Sequence, residues 1–217
     1  MRTEYWQQRW REGRTGWHHA EVSASLTHYW PGLGVPPSTR VFVPLCGKSP
    51  AMAWFAAQGL QVLGVEVSDL AIEQFYAEHR LTPVRRADHP ERYTAGGIEI
   101  VRTSVFDLDH ALLAGCGAFY DRAAIIAQPA EDRRRYAAQV YAHLPQGCTG
   151  LMVTLDYPQP EMEGPPFSVD PQELRALFAD AWDIETLERK DVLTEQPGFR
   201  EQGLTALHAG VYRLRRR

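Results

Sequence analysis

The 217-residue sequence has few cysteines, no long apolar run and no excess of positive charge. Its three cysteines, Cys46, Cys116 and Cys148, are odd in number and lack C-x-x-C spacing, so neither a disulfide framework nor a zinc site is indicated. No apolar run approaches the length of a membrane span, and no charged-then-apolar leader opens the chain. We therefore expect a soluble, cytoplasmic protein without a membrane or metal partner.

A nucleic-acid partner is not expected either. The formal net charge is −4, whereas neutralising phosphates requires a net basic face. The arginine runs at 133–135 and 215–217 are interpreted as solvated faces. His18 and His19 project apart and have no carboxylate or cysteine at ligand spacing, so we expect surface or packing roles for them rather than metal binding. No feature of the sequence requires a dimer, and a monomer is expected.

Strand-like and helix-like segments alternate along the chain without a linker or a repeat. Strands are predicted at 41–43, 61–66, 97–108, 117–127, 150–157, 182–192 and 204–215, and the last two have no convincing helix between them. Ser68 is a natural N-cap for a helix that follows the second strand. The pattern predicts an α/β fold in a single domain over residues 1–217. Its sheet would be doubly wound, mostly parallel and seven-stranded, with one antiparallel strand.

The stretch RVFVPLCGKS, residues 40–49, ends like a phosphate-binding loop. Such a loop needs a second glycine five residues before its Gly-Lys, and here that position is Phe42. A dinucleotide site would show G-x-G-x-x-G, whereas this turn has one glycine, Gly47. The stretch therefore indicates the first strand–helix turn of an α/β nucleoside site, lined by residues 45–48.

Glu66 follows Gly47 by 19 residues, at the end of the second predicted strand. This is close to the spacing of about 20 at which an acidic side chain meets ribose hydroxyls. The alternative is that Glu66 only caps a strand end. S-adenosylmethionine has a ribose and a sulfonium but no phosphate, which fits both the missing glycines and the acid. The residues thus lead to the hypothesis of a class I methyltransferase.

Six motifs occur in order along almost the full chain. They are WxxRWxxGxTGWH at 6–18, RVFVPLCGKS at 40–49, GVEVS at 64–68, FYDRAAIIA at 119–127, LDYPQPEMEGPPFSV at 155–169 and GLTALHAGVYRL at 203–214. Together they resemble the thiopurine S-methyltransferase family in its bacterial form. The resemblance implies a class I, Rossmann-like methyltransferase that uses S-adenosylmethionine, releases S-adenosylhomocysteine and methylates the sulfur of thiols such as 6-mercaptopurine. Bacterial relatives are also associated with selenium and tellurium compounds.

The resemblance also implies roles for individual residues. Contacts to the cofactor are implied for Trp10, Leu45, Gly47, Glu66, Ser104, Val105 and Arg122, and contacts to the acceptor for Trp17, Pro165, Pro166 and Arg200. Trp10 would belong to an N-terminal helical cover formed by residues 1–30. By themselves, Trp6 and Trp10 at i and i+4 of a helix indicate core packing.

Arg122 is the implied catalytic residue. A guanidinium near the acceptor favours a thiolate, and because arginine stays protonated it acts as electrostatic support rather than as a base. The alternative is a structural Asp121–Arg122 pair or a helix-start contact. Two other functions stay open: another small-molecule methyltransferase, with a different thiol, a halide or a selenium or tellurium acceptor, and a non-catalytic S-adenosylmethionine-binding protein on the same fold.

Overall fold

The computed structural model describes residues 3–87 and 89–217. Residues 1 and 2 of the predicted N-terminal cover lie outside the described residues. The strands are β1 (Arg40–Val43), β2 (Gln61–Glu66), β3 (Val84–Arg86), β4 (Glu91–Ala95), β5 (Ile98–Arg102), β6 (Ala118–Arg122), β7 (Thr149–Asp156), β8 (Trp182–Asp191) and β9 (His208–Arg216). Within the described ranges they form one nine-stranded sheet in the order β3-β4-β5-β2-β1-β6-β7-β9-β8.

Helices occupy the connections between the strands. The α-helices are α1 (Thr3–Arg11), α2 (Ala24–Tyr29), α3 (Pro50–Ala57), α4 (Asp69–Glu78), α5 (His110–Ala114), α6 (Ala130–Gln139), α7 (Pro171–Phe178) and α8 (Pro197–Glu201). Short 3₁₀ turns lie at Trp30–Leu33, Val105–Asp107, Ile125–Ala127, Tyr141–His143, Gln159–Glu161 and Leu193–Glu195. In the part of the chain that the structure describes, no helix is both long enough and apolar enough to span a bilayer.

The predicted fold class is confirmed. Strands β5, β2, β1, β6 and β7 are parallel neighbours, and β9 runs antiparallel between β7 and β8. The predicted number of seven strands is too low, because β3 and β4 add an antiparallel hairpin beside β5. These two strands lack apolar alternation. Backbone ladders pair β3 with β4 and β4 with β5, and Glu91 on β4 adds ion pairs to Arg85 on β3 and Arg102 on β5.

Two other local predictions are wrong. The connection between β8 and β9 contains the short helix α8, which Pro197 opens. Arg133, predicted on a solvated face, is buried and binds both carboxylate oxygens of Glu173 on α7, at 2.7 and 2.8 Å. Its Nη1 also donates to the Gln128 carbonyl at 2.7 Å. The bridge therefore ties α6 to α7.

Two apolar layers cover the two faces of the sheet, as the doubly wound pattern requires. One layer packs α2, α3 and α4 against the sheet through Leu26, Met52, Phe55, Ile72 and Phe75. The other packs α5, α6 and α7 through Leu113, Tyr136, Leu174 and Phe178. Helix α4 starts three residues after the end of β2, whereas longer segments connect β1 to α3, β5 to α5, β6 to α6 and β7 to α7 at the carboxyl ends of the parallel strands.

Gly150 provides a test of the contact between β6 and β7. It lies opposite Phe119, and a Cβ at this position would be 2.2 Å from the Phe119 carbonyl oxygen. We expect Gly150→Ala to force the strands apart and to lower the free energy of unfolding in urea by about 3 kcal/mol or more. Gly198→Ala is the control, since a Cβ there meets no atom within 4 Å, and it should change stability by less than about 0.5 kcal/mol. Equal stabilities of the two variants would contradict this packing.

Candidate functional site

The candidate site lies at the edge of the sheet where the parallel strands end. The β1 turn, residues 44–49, leads into α3, and residues 67 and 68 lead from β2 into α4. Ser49 accepts a hydrogen bond from the Ala51 N–H, and Ser68 accepts one from the Ala71 N–H, so both helices start with serine N-caps. Ligands of open α/β sheets bind outside this edge.

Glu66, the last residue of β2, is only 6% exposed. Its Oε2 accepts a hydrogen bond from the Gly47 N–H at 2.8 Å, and its Oε1 accepts from the N–H groups of Val67 and Ser68 at 2.8 and 2.9 Å. Burial raises the pKa of the carboxyl, and the N–H donors oppose that shift. The strand-end cap considered from the sequence is therefore present, while the ribose contact stays a prediction.

Trp10 covers this acid. Gly47 has φ +50°, and a Cβ at this position would lie 3.0 Å from Trp10 Cζ2 and 4.0 Å from Glu66 Oε2. The buried indole therefore packs directly on the glycine. Gln7, one turn earlier on α1, donates a hydrogen bond to the Val67 carbonyl at 3.3 Å. Helix α1 thus packs on the turns after β1 and β2, so core packing and a covering position coincide for Trp10.

Leu45, Ser104 and Val105 flank the contact between Gly47 and Glu66. Leu45 lies in the β1 turn with φ +45°. Ser104 and the buried Val105 follow β5, which pairs with β2, and the Thr103 N–H donates to the Glu66 carbonyl at 3.0 Å. The structure therefore brings the predicted cofactor residues of β1, β2 and β5 to neighbouring strand ends.

Arg122 ends β6, on the opposite side of β1 from β2. Its side chain is half-buried, and within residues 3–87 and 89–217 no hydrogen bond or ion pair of its guanidinium is found. Burial and then Lys48 lower the pKa of His18, with a smaller contribution from Arg122, and burial and then Arg122 lower the pKa of His19. The cation therefore faces the segment that follows α1.

Asp121, its neighbour in the chain, points to a different part of the molecule. Its Oδ1 accepts a hydrogen bond from the Ile125 N–H at 3.0 Å. Its Oδ2 accepts from the Tyr136 hydroxyl at 2.9 Å and the Tyr141 hydroxyl at 2.8 Å. Of the alternatives considered from the sequence, a contact at the start of the following turn is what Asp121 makes.

Trp17 lies beside the covering helix. Its ring makes edge-on contacts with the rings of Trp10 and Trp6, with centroids 5.9 and 5.3 Å apart. The Arg9 guanidinium lies 5.5 Å from the centroid of the same ring. Trp17 is thus held by α1 and precedes His18 and His19, which face Arg122.

Pro165 and Pro166 belong to the segment between β7 and α7. The Phe167 N–H, directly after them, donates to the Ile126 carbonyl at 2.6 Å. The Tyr157 hydroxyl donates to the Pro166 carbonyl at 2.6 Å. The proline segment is therefore attached to the turn that follows Arg122, as an acceptor wall would need to be.

Arg200 is not brought together with these residues. It is exposed on α8, and within the described ranges it makes no contact with another predicted site residue. Its neighbour Phe199 packs with Leu204, Leu207 and Tyr157, so α8 lies against the segment that follows β7. Its predicted role in acceptor binding stays a prediction.

An open groove of about 600 Å³ lies elsewhere, at the amino ends of the strands, and its lining includes Gly117, Thr149 and Arg213. None of the predicted site residues lines it. We place the site at the carboxyl edge, which Trp10 covers, because the buried acid and the half-buried cation are there. Among the residues that the structure describes, no group of three or more His, Cys, Asp or Glu side chains could hold a metal ion.

The interpretation of the sequence missed two features of this edge. His18 is half-buried and His19 is exposed, as expected of packing or surface residues, but their position near Arg122 was not predicted. Burial lowers the pKa of both, followed by Lys48 for His18 and by Arg122 for His19, and Arg122 also makes a smaller contribution for His18. Their position directly after Trp17 was the available signal. The hydroxyl partners of Asp121, Tyr136 and Tyr141, were not singled out, because nothing in their own stretch of sequence shows where their hydroxyls point.

Comparison with known proteins gives a family and a fold. The sequence profile described as thiopurine S-methyltransferase matches residues 1–217. A thiopurine S-methyltransferase of Xanthomonas campestris pv. campestris (strain 8004) is 51% identical over 217 residues, with 100% of both chains covered. One of Nitrosomonas eutropha (strain DSM 101675 / C91 / Nm57) is 50% identical, with 100% of this chain and 99% of the relative covered.

Solved structures share the fold at low sequence identity. The 1,6-didemethyltoxoflavin-N1-methyltransferase of Burkholderia thailandensis, solved with 1,6-didemethyltoxoflavin and S-adenosylhomocysteine, has a TM-score of 0.67 at 16% identity, covering 99% of this chain and 86% of that one. The magnesium protoporphyrin IX methyltransferase of Synechocystis PCC 6803 has a TM-score of 0.66 at 10% identity, covering 99% and 95%. These likenesses show the fold alone.

The substitution Glu66→Gln tests how much the three backbone hydrogen bonds to the Glu66 carboxylate contribute to stability. The amide NH₂ would face a backbone N–H donor in a buried position, so we expect the free energy of unfolding in urea, without ligand, to fall by about 2–3 kcal/mol. Glu185→Gln is the control, because its pair with Arg213 is exposed on both sides and should contribute less than about 1 kcal/mol. If both variants keep wild-type stability, the three hydrogen bonds do not hold this edge together.

Proposed function

The chain belongs to the thiopurine S-methyltransferase family, and on that premise we propose that it transfers the methyl group of S-adenosylmethionine to the sulfur of aromatic or heterocyclic thiols such as 6-mercaptopurine. The observation that carries the acceptor side of this proposal is Arg122. A half-buried guanidinium without an anionic partner among the described residues lies at the carboxyl edge of the sheet. Such a group favours a ligand that brings negative charge, which a thiolate does.

The residues present fit S-adenosylmethionine. A buried carboxylate ends β2, the β1 turn has one glycine and no pyrophosphate fingerprint, and an indole covers both. A carboxylate has about four lone-pair sites, and three N–H groups use part of that capacity in Glu66. We therefore assign the ribose hydroxyls to Glu66.

The other cofactor contacts follow from the position of each residue along the strand ends. Leu45 and Gly47 would contact the methionine part, and Ser104 and Val105 would line the adenine. Trp10 would cover the ligand. When bound, S-adenosylmethionine supplies an electrophilic methyl group on a positively charged sulfur.

Arg122 would act on the acceptor. Its fixed positive charge stabilises the ionised form of a bound thiol, and since arginine stays protonated it does not take the proton itself. Trp17 on one side and Pro165 and Pro166 on the other would orient the acceptor, because alignment supplies much of the acceleration in a displacement at carbon. Arg200 would assist acceptor binding from α8.

We further propose that residues 1–217 work as a single domain, a cytoplasmic monomer in which residues 1–30 form the cover. The net charge of −4 supports a small-molecule substrate over nucleic acid. The proposed displacement does not require a metal ion. A selenium or tellurium compound as the natural acceptor would use the same residues.

Titration with S-adenosylhomocysteine followed by methyl transfer to 6-mercaptopurine tests the function. We expect saturable binding and S-methylated product, detected by chromatography and mass. Arg122→Ala should lower kcat/KM by on the order of 100-fold, because it removes the positive charge that favours the reactive thiolate form of the acceptor. Arg134→Ala, an exposed arginine of α6, is the matched control and should keep wild-type activity. If the protein binds S-adenosylhomocysteine but makes no S-methylated product, the cofactor assignment is retained and the thiol acceptor is contradicted. If Arg122→Ala keeps the wild-type turnover, Arg122 has no part in the mechanism.

A further inference from the structure

A fully buried carboxylate lies directly next to Arg122 in the chain. Asp121 has no exposed surface, and burial raises the pKa of its carboxyl while its donors oppose the shift. Its donors come from two elements: the Tyr136 hydroxyl from α6 and the Tyr141 hydroxyl from the 3₁₀ turn that follows. A buried carboxylate is tolerated only when such donors satisfy it.

The third donor closes the turn that carries Arg122. The Ile125 N–H binds Asp121 Oδ1 at 3.0 Å, so the side chain spans Arg122, Ala123 and Ala124. Ala123 has φ +64°, a left-handed conformation that is unfavourable for a residue with a Cβ. A turn of this kind persists only where surrounding contacts fix it, and the Asp121 carboxylate is the contact across it.

Asp121 and Arg122 act on opposite faces of the sheet. Successive side chains of a strand alternate, and Asp121 points into the layer that contains Tyr136 and Tyr141. Arg122 follows Tyr120 by two residues on β6 and shares its face, and Tyr120 belongs to the other layer. The Asp121 carboxylate therefore does not pair with the Arg122 guanidinium. It influences the position of Arg122 only through the backbone of the turn.

The same turn reaches the acceptor wall. Ile126 follows Ile125, and its carbonyl accepts the Phe167 N–H at 2.6 Å, directly after Pro165 and Pro166. A shift of the turn would therefore move the guanidinium and the wall relative to each other. An apolar residue in place of Asp121 could fill the space, but it could not fix the turn by hydrogen bonds from three directions.

We propose that Asp121, held by Tyr136 and Tyr141, is a positioning residue that fixes the turn at Ala123 and thereby aims the Arg122 guanidinium at the acceptor sulfur. This inference rests on the proposed function. It assigns the buried network a part in the ionisation of the acceptor, which a role in stability alone would not include.

A titration of bound acceptor separates these roles. The absorbance of 6-mercaptopurine reports its ionisation, and the dead-end complex with S-adenosylhomocysteine allows the titration without turnover. In the wild type, Arg122 should hold the apparent pKa of the bound acceptor below its value in free solution. In Asp121→Asn and in the double variant Tyr136→Phe/Tyr141→Phe, that pKa should return by about one unit towards the free value. The kcat/KM should fall by on the order of 10- to 100-fold, because the guanidinium is misplaced.

The titratable groups around Arg122 and Asp121 determine the pH range of this titration and the choice of control variant. Burial is the largest cause of the pKa shifts of His18, His19 and Tyr120, and Arg122 contributes to each of them. Lys48 and Glu78 also act on His18, and Tyr136 and Tyr141 donate hydrogen bonds to Asp121. Because the pKa values of both histidines are lowered, a titration above pH 7 leaves them neutral. Tyr76→Phe is the matched control: it also removes a buried hydroxyl, bonded to the Tyr93 carbonyl at 2.7 Å, but it lies on α4, away from Arg122.

The outcomes are distinct. If the wild type makes no S-methylated thiol, the proposed function fails, and the positioning role fails with it. If the wild type is active and a folded variant keeps the wild-type acceptor pKa and turnover, only the role of Asp121 is contradicted. The double variant covers the case in which Asp121→Asn does not fold. An acceptor pKa that moves equally in Tyr76→Phe would overturn the assignment.

Discussion

Three backbone N–H groups converge on the buried Glu66 carboxylate, and the carboxyl edge of the sheet depends on this convergence. One comes from the β1 turn and two from the residues that enter α4. Rotating the carboxylate away would leave these donors unpaired in a buried position, at about 1–3 kcal/mol each. The acid therefore fixes how far apart the turns after β1 and β2 lie, and so fixes the surface on which α1 packs.

The same hydrogen bonds explain why Gly-Lys-Ser is not a phosphate cradle here. In a P-loop the backbone N–H groups point at phosphate oxygens, whereas the Gly47 N–H is donated to Glu66. The Lys48 Nζ pairs with Glu78 on α4 at 2.5 Å. A carboxylate at this position also repels phosphate. The indole of Trp10 also packs on Gly47, so the turn is not open to a phosphate from that side.

Local patterns allowed the prediction of the features that local forces determine. Apolar strands and serine caps are encoded by neighbouring residues, so the mostly parallel sheet, Glu66 at the end of β2 and the cap by Ser68 were predictable. Contacts between distant residues were not. β4 pairs with β5 although its sequence lacks apolar alternation, and the buried Arg133 pairs with Glu173, 40 residues further along the chain. The hydrogen bonds of Tyr136 and Tyr141 to Asp121 could not be predicted either, because these residues lie 15 and 20 positions away in the chain.

The charges of the site suggest how it selects an acceptor. A cation that is partly removed from water is unfavourable until an anion reaches it, and the attraction strengthens as the local dielectric falls. Trp10 and Trp17 of the N-terminal segment are in ring contact, and Trp17 is followed directly by His18 and His19. Burial lowers the pKa of both histidines and Arg122 contributes to the shift, so this segment lies on the Arg122 side of the site. Under the proposed function, a site with little water on this side would favour an acceptor that arrives ionised. Selection would then rest on the acidity of the acceptor sulfur as much as on its shape, which would allow chemically different thiols to use one site.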